Sequence, residues 1–189
     1  MKNLAILASG AGTNAENIIR YFQGNNQIHI AAVLTNKPEA GVIERAENLG
    51  IKTIYLPQEC WKTGEKVLET LQELQTDFVI LSGFLVKIPA VLLQHYPNRI
   101  LNIHPALLPK FGGKGMYGDR VHQAVVAAKE TQSGITIHYI DENYDEGSTI
   151  FQATCEVLPT DTPEEVAQKV HKLEYRYFPE IIEKTVLKE

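Results

Sequence analysis

The chain has 189 residues, 44% apolar and 22% charged, a balance that fits one soluble globular domain over 1–189 with a sizeable core. A formal net charge of −5 and six scattered histidines argue against a nucleic-acid binder, which needs a basic patch, but leave room for a local anion site. No apolar run is long enough for a signal segment or a membrane span, so the expected location is the cytoplasm.

Strand and helix alternate through the first hundred residues. Residues 4–8 read as a strand apolar on both faces, as parallel strands tend to be. A glycine-containing turn at 9–14 leads into a helix with Ile18, Ile19 and Phe22 on one side, ended near Gly24. Residues 28–34 form the second strand. Residues 39–49 form a helix carrying Val42, Ala46 and Leu49, with Gly50 just past its end, and 52–56 form a short third strand. A loop at 58–64 holds the only Trp, and 65–74 is a helix with Val67, Leu68, Leu71 and Leu74 as its stripe. An all-apolar strand at 78–81 runs into Ser82, Gly83 and Phe84. A short helix at 89–95, with Pro89 at a tolerated early position, precedes a strand at 100–103. The alternation predicts an α/β fold: a mostly parallel open sheet with flanking helices and right-handed crossovers, Rossmann-like in its N-terminal half.

Beyond residue 109 the pattern changes. Residues 111–118 are a flexible loop with four glycines, and Asp119 is the expected cap of a helix reaching Ala128. Strands are predicted at 133–140 and 149–157. Their short polar connection, 141–148, makes them antiparallel. Thr162, Pro163 and Glu165 give a helix-start signature: cap, proline at the first position, glutamate three residues after the cap. The last helix carries Val166, Val170, Leu173 and Tyr177, and Pro179 is expected to kink or restart it.

Chemistry concentrates on residues 100–109. Alternate side chains share a strand face, so Asn102 and His104 point the same way, and Pro105 and Pro109 stiffen the exit. The competing reading is a core strand with a satisfied histidine and a rigid turn. Near the N-terminus, Gly10, Gly12 and Ala15 give the spacing G-x-G-x-x-A between a strand and a helix. The acidic ribose partner of a dinucleotide site is missing, since Leu34 is followed by Thr35, Asn36 and Lys37. A monophosphate held by Gly12, Thr13 and Asn14 fits better, against the alternative of a tight turn that binds nothing.

The 141–148 loop carries Asp141, Glu142, Asp145 and Glu146. A carboxylate from this loop beside His104 would raise its pKa and fix its orientation, as acid–base work near neutral pH requires. The residues alone do not say which acid it is. His138 shares a strand face with Thr136 and reads as a core or edge histidine, with a second polar residue in the cleft as the alternative; His29, His122 and His171 read as helical or edge-exposed. Cys60 and Cys155 lack CxxC or zinc-ligand spacing and are expected to be free thiols. No P-loop, no GxSxG and no metal spacing is present, so neither a catalytic metal nor covalent serine chemistry is expected. In open parallel sheets ligands bind outside the carboxyl ends of strands, which suits a phosphate anchor and a polar reaction centre at one sheet edge.

The residues Asn102-Ile103-His104-Pro105-Ala106-Leu107-Leu108-Pro109 resemble the signature of the folate-dependent formyltransferases. Ser9 to Asn14, Ser82 to Phe84 and Tyr144 to Gly147 extend the resemblance over essentially the whole chain, and size and the glycine loop favour the purine-pathway members. The resemblance implies transfer of a formyl group from 10-formyltetrahydrofolate to glycinamide ribonucleotide, with no metal, no nucleic acid and no membrane. A homodimer is left open. It further implies catalytic roles for Asn102, His104 and Asp145, a phosphate loop at Gly12, Thr13 and Asn14, and a grip on the ribonucleotide by Glu174. The folate ring would meet Leu85, Val86, Lys87, Ile88 and Asn102, with Lys62 near its tail.

Two relatives within that superfamily are rivals: tRNA-directed members, which add a C-terminal nucleic-acid-binding domain, and formyltetrahydrofolate hydrolases, which usually carry an N-terminal regulatory domain. The expectation is that this chain has neither addition. A non-catalytic nucleotide-binding module is the rival from another class.

Overall fold

In the computed structural model of the chain, residues 1–142 and 146–188 are described. The chain divides into two compact units, one of residues 1–101 and 182–189, the other of residues 102–181.

In the first unit the apolar runs become β1 (Lys2–Leu7), β2 (Ile28–Thr35), β3 (Thr53–Tyr55) and β4 (Phe78–Leu81). All pair in parallel: β1 lies between β2 and β4, and β3 extends the sheet from β2. Leu4 through Leu7 and Phe78 through Ile80 are fully buried, so these strands are covered on both faces. The covering elements are α1 (Thr13–Phe22), α2 (Gly41–Asn48), α4 (Glu65–Glu73) and α5 (Ala90–His95). α1 buries Ala15, Ile18, Ile19 and Phe22, the spacing that puts one helical face against a sheet. Each such large aliphatic side chain contributes about 1.5–3 kcal/mol by burial. At the end of α2, Gly50 adopts φ 74 while its N–H bonds the Glu47 carbonyl, closing the helix as the sequence predicts.

β5 (Ile100–His104) is the strand in which the first unit ends and the second begins. The second unit continues with α6 (Asp119–Ala127), β6 (Gln132–Tyr139) and β7 (Thr149–Glu156), and then α7 (Pro163–Val186), whose residues from 182 onward belong to the first unit. β6 and β7 are antiparallel, with Gln132 opposite Glu156 and Ile137 opposite Phe151. The strand order of the seven-stranded sheet is β3-β2-β1-β4-β5-β6-β7, mostly parallel with an antiparallel final pair. The capping box at the start of α7 forms as expected: Thr162 N–H donates to Glu165 Oε2 at 2.7 Å and Glu165 N–H to Thr162 Oγ1 at 3.2 Å.

Three local expectations are corrected. The 58–64 segment is not all loop: α3 (Cys60–Thr63) forms within it, too short to leave a periodic signal. Asp119 does not cap α6. It is the first helical residue, and Gly118, with φ 56, occupies the cap position without a side-chain bond. Of the kink or restart expected at Pro179, the restart does not occur: α7 runs from Pro163 to Val186 with the proline inside. Burial of Phe178, Ile181 and Ile182 on either side of it offsets the lost backbone bond. Among the described residues no helix is long and apolar enough to cross a membrane.

Candidate active site

In the second unit, β5 delivers Asn102 and His104 at its carboxyl end. Asn102 Nδ2 lies 3.1 Å from His138 Nε2, and His138 Nδ1 lies 2.9 Å from the Tyr139 carbonyl. A carbonyl can only accept, so His138 Nδ1 carries the proton and Nε2 accepts from the Asn102 amide. One tautomer of a fully buried ring therefore fixes which way the Asn102 amide faces. His138 is a core histidine, as the sequence suggested, and is also the partner of Asn102.

His104 is 4% exposed, and its Nε2 donates to the Phe111 carbonyl at 2.7 Å. Phe111 opens the glycine-rich 111–118 loop with φ 55, unusual for a residue with a side chain. The exit from β5 is pinned by Thr136, whose hydroxyl donates to the Ala106 carbonyl at 2.7 Å and accepts from the Leu108 N–H at 3.0 Å. Gln152 adds bonds to Thr136 Oγ1 and to the Leu108 carbonyl, and the Leu108–Pro109 peptide is cis.

Two further titratable groups belong to this unit. Burial alone pushes the Glu174 carboxyl on α7 up to about 7. His122 is helical, one of the two readings the sequence left, and is 2% exposed, with its ring centroid 6.2 Å from that of His171. Burial first, then the neighbouring His171, pushes its pKa down, while Asp119 acts the other way.

In the first unit, β1 ends in the 10–14 turn and α1 begins at Thr13. Gly12 occupies the cap position with φ 77, and no side chain caps the helix N–H groups there. A Cβ on Gly12 would fall 2.4 Å from Cβ of Val42, so only glycine lets the turn approach α2 this closely. Arg45 braces the turn through its Nε bond to the Ala11 carbonyl at 2.9 Å and also pairs with Glu16. Bonds from Arg20 and Arg45 hold the Glu16 carboxyl below its usual range. Asn14 Oδ1 is buried with no hydrogen-bond partner among the described residues.

The first unit also holds a pocket of about 360 Å³. Gln58, Trp61 and Lys62 form one wall, and Val86, Lys87 and Ile88 another. The Trp61 indole N–H donates to the Leu56 carbonyl at 2.8 Å, and its ring meets Phe84 at 4.5 Å between centroids. Leu85 is not part of the lining and is 51% exposed. Among the described residues no group of three or more His, Cys, Asp or Glu side chains could hold a metal ion.

The profile of the formyl transferase family matches residues 2–182. The chain belongs to the formyl transferase family. It is similar to the chloroplastic phosphoribosylglycinamide formyltransferase of Arabidopsis thaliana, with 38% identity over 96% of this chain and 64% of that protein. The enzyme of that name from Bacillus subtilis is 36% identical over 96% of this chain and 93% of its own length. A crystal structure of phosphoribosylglycinamide formyltransferase from Bacillus halodurans superposes with a TM-score of 0.87 at 36% identity, covering 97% of this chain and 94% of that one. The chain thus spans less than two thirds of the plant relative and nearly all of the bacterial ones.

Asn102 and His104 lie two positions apart on β5, and Lys62 lines one pocket with Val86, Lys87 and Ile88. Asp145 lies outside the described residues. The bond between Asn102 and His138 and the Phe111 carbonyl were missed: His138 sits 36 residues from Asn102 in sequence, and a backbone acceptor leaves no mark in a side-chain pattern.

Proposed function

We propose that the chain is a phosphoribosylglycinamide formyltransferase of purine biosynthesis. It would move the formyl group of 10-formyltetrahydrofolate onto the primary amine of glycinamide ribonucleotide. The observation that carries this reading is the Asn102–His104 pair on one strand face, with the Asn102 amide oriented by His138.

The amine nitrogen attacks the formyl carbon, and negative charge collects on the formyl oxygen of the tetrahedral intermediate. The Asn102 amide N–H and the positive charge of a His104 imidazolium stabilise that oxygen. Collapse breaks the bond from carbon to folate N10. The attacking amine loses a proton and N10 gains one, relayed by a water that Asp145 positions; Asp145 also keeps His104 charged. No metal and no covalent enzyme intermediate takes part.

The uncapped N–H groups at Gly12, Thr13 and Asn14 suit the ribonucleotide phosphate. Glu174 takes hydroxyl donors of the same substrate, so that affinity for groups away from the amine is converted into its orientation. The folate ring is assigned to Leu85 through Ile88 with Asn102, and its anionic tail to Lys62, a reading supported by the shared pocket of Lys62, Val86, Lys87 and Ile88. An acidic chain with two free thiols suits a small-molecule enzyme of the cytoplasm.

The test is incubation with 10-formyltetrahydrofolate, with and without glycinamide ribonucleotide, while deformylated folate is followed. Product only with the ribonucleotide supports the assignment. Product without it indicates a hydrolase, and no product in either case a binding module.

A further inference from the structure

The Ser9 hydroxyl ties together the carboxyl ends of three strands in the first unit. It donates to Asn36 Oδ1, just past β2, at 2.6 Å, and accepts the Leu85 N–H, beyond β4, at 3.1 Å. Its own backbone N–H donates to the Gly83 carbonyl at 3.2 Å. Ser9 is 2% exposed, so both hydroxyl bonds are made largely out of water, where losing a partner is felt most.

What the hydroxyl holds is the start of a pocket wall. Leu85 is itself exposed and contributes no lining, yet Val86, Lys87 and Ile88 follow it directly. On the other arm, Asn36 Nδ2 reaches Gln58 Oε1 at 3.4 Å, and Gln58 lines the facing wall. One buried hydroxyl therefore sets where both walls begin.

We propose that Ser9 is a positioning residue for the folate: it touches no substrate, but it fixes the Leu85 segment against β1 and, through Asn36, the Gln58 wall. This rests on the assignment of the pocket to 10-formyltetrahydrofolate. With the hydroxyl removed, the Leu85 N–H loses its partner, the wall gains freedom, and folate binding bears the ordering that Ser9 now provides beforehand.

The sole tryptophan, Trp61, lines the same pocket, so its fluorescence is expected to report binding. Wild type, Ser9→Ala and Ser9→Thr are titrated with 10-formyltetrahydrofolate alone, and kcat and both KM values are then measured. Ser9→Ala is expected to weaken folate binding about tenfold, with kcat at saturating folate within about threefold of wild type. Ser9→Thr, which keeps the hydroxyl, restores most of the affinity. Should Ser9→Ala not fold, Asn36→Ala at the partly exposed end of the tie is read instead, with a weakening of about threefold expected. Unchanged folate affinity in the folded alanine variant overturns the inference, as does a loss confined to kcat and thermal stability. A wild type whose Trp61 does not respond to the folate overturns the folate assignment itself.

Discussion

Asn102 gives an amide N–H to His138 across 3.1 Å, and that single bond fixes the face the amide presents. His138 accepts it because its other nitrogen donates to the Tyr139 carbonyl. His138→Ala should therefore lower kcat by about ten- to a hundredfold with both KM values near wild type, because orientation is lost and binding is not. His138→Gln, whose carbonyl can still accept, should lie between the two. Steady-state kinetics of the three proteins decides, and a kcat unchanged in His138→Ala would refute the role.

His104→Ala and Asp145→Ala should each lose about a hundredfold or more in turnover. Binding of glycinamide ribonucleotide, followed by calorimetry, should stay close to wild type, because the assigned phosphate grip lies in the 12–14 turn. Normal turnover in either variant would remove the proposed mechanism.

Gly12→Ala places a Cβ 2.4 Å from that of Val42 at φ 77. The turn must shift, and we expect a stability loss of about 1–3 kcal/mol together with a raised KM for the ribonucleotide. Gly12→Ala/Val42→Ala should recover little of the stability, because the Cβ and Cα of residue 42, at 2.4 and 2.5 Å from the new methyl, stay in place and so does the left-handed backbone. Chemical denaturation and ribonucleotide titration of the single and double variants check both halves.

Glu174 makes stability depend on pH. Its carboxyl titrates near 7 folded against 4.5 as a free side chain, so the folded protein holds the proton more tightly. That contribution is fully present below pH 4.5 and fades as pH rises through about 7, for a total of about 3 kcal/mol. Glu174→Gln cannot ionise and should escape this loss. Its melting temperature should match wild type near pH 5 and exceed it at pH 8. Equal differences at both values would show that the group ionises freely in the folded protein.

Much of the architecture was legible because apolar runs and helical spacing carry it directly. The runs at Leu4–Leu7 and Phe78–Leu81 could only be strands buried on both faces, and Thr162 with Glu165 announced α7 by a local bond. Where a tertiary partner decides, the sequence is silent. The Asp119 cap failed because Gly118 takes up the entry geometry with no side chain involved. At Pro179 the sequence left a kink or a restart open, and α7 runs through it because the apolar residues flanking it outweigh a single missing N–H. Of the site, the face shared by Asn102 and His104 follows from strand alternation alone, whereas the bond to His138 depends on a neighbouring strand.

The bond from His104 to the Phe111 carbonyl bears on how the imidazole enters any reaction. A ligand oxygen that wants the Nε2 proton must compete with a backbone acceptor already in place. Trading one hydrogen bond for another changes the free energy little, so the exchange is close to thermoneutral, and the ring arrives oriented rather than searching rotamers. The residue that supplies this acceptor sits at φ 55, in the left-handed region that a residue with a side chain rarely adopts. An oxygen that took that proton would leave the Phe111 carbonyl, at the head of the glycine-rich segment, in need of another donor.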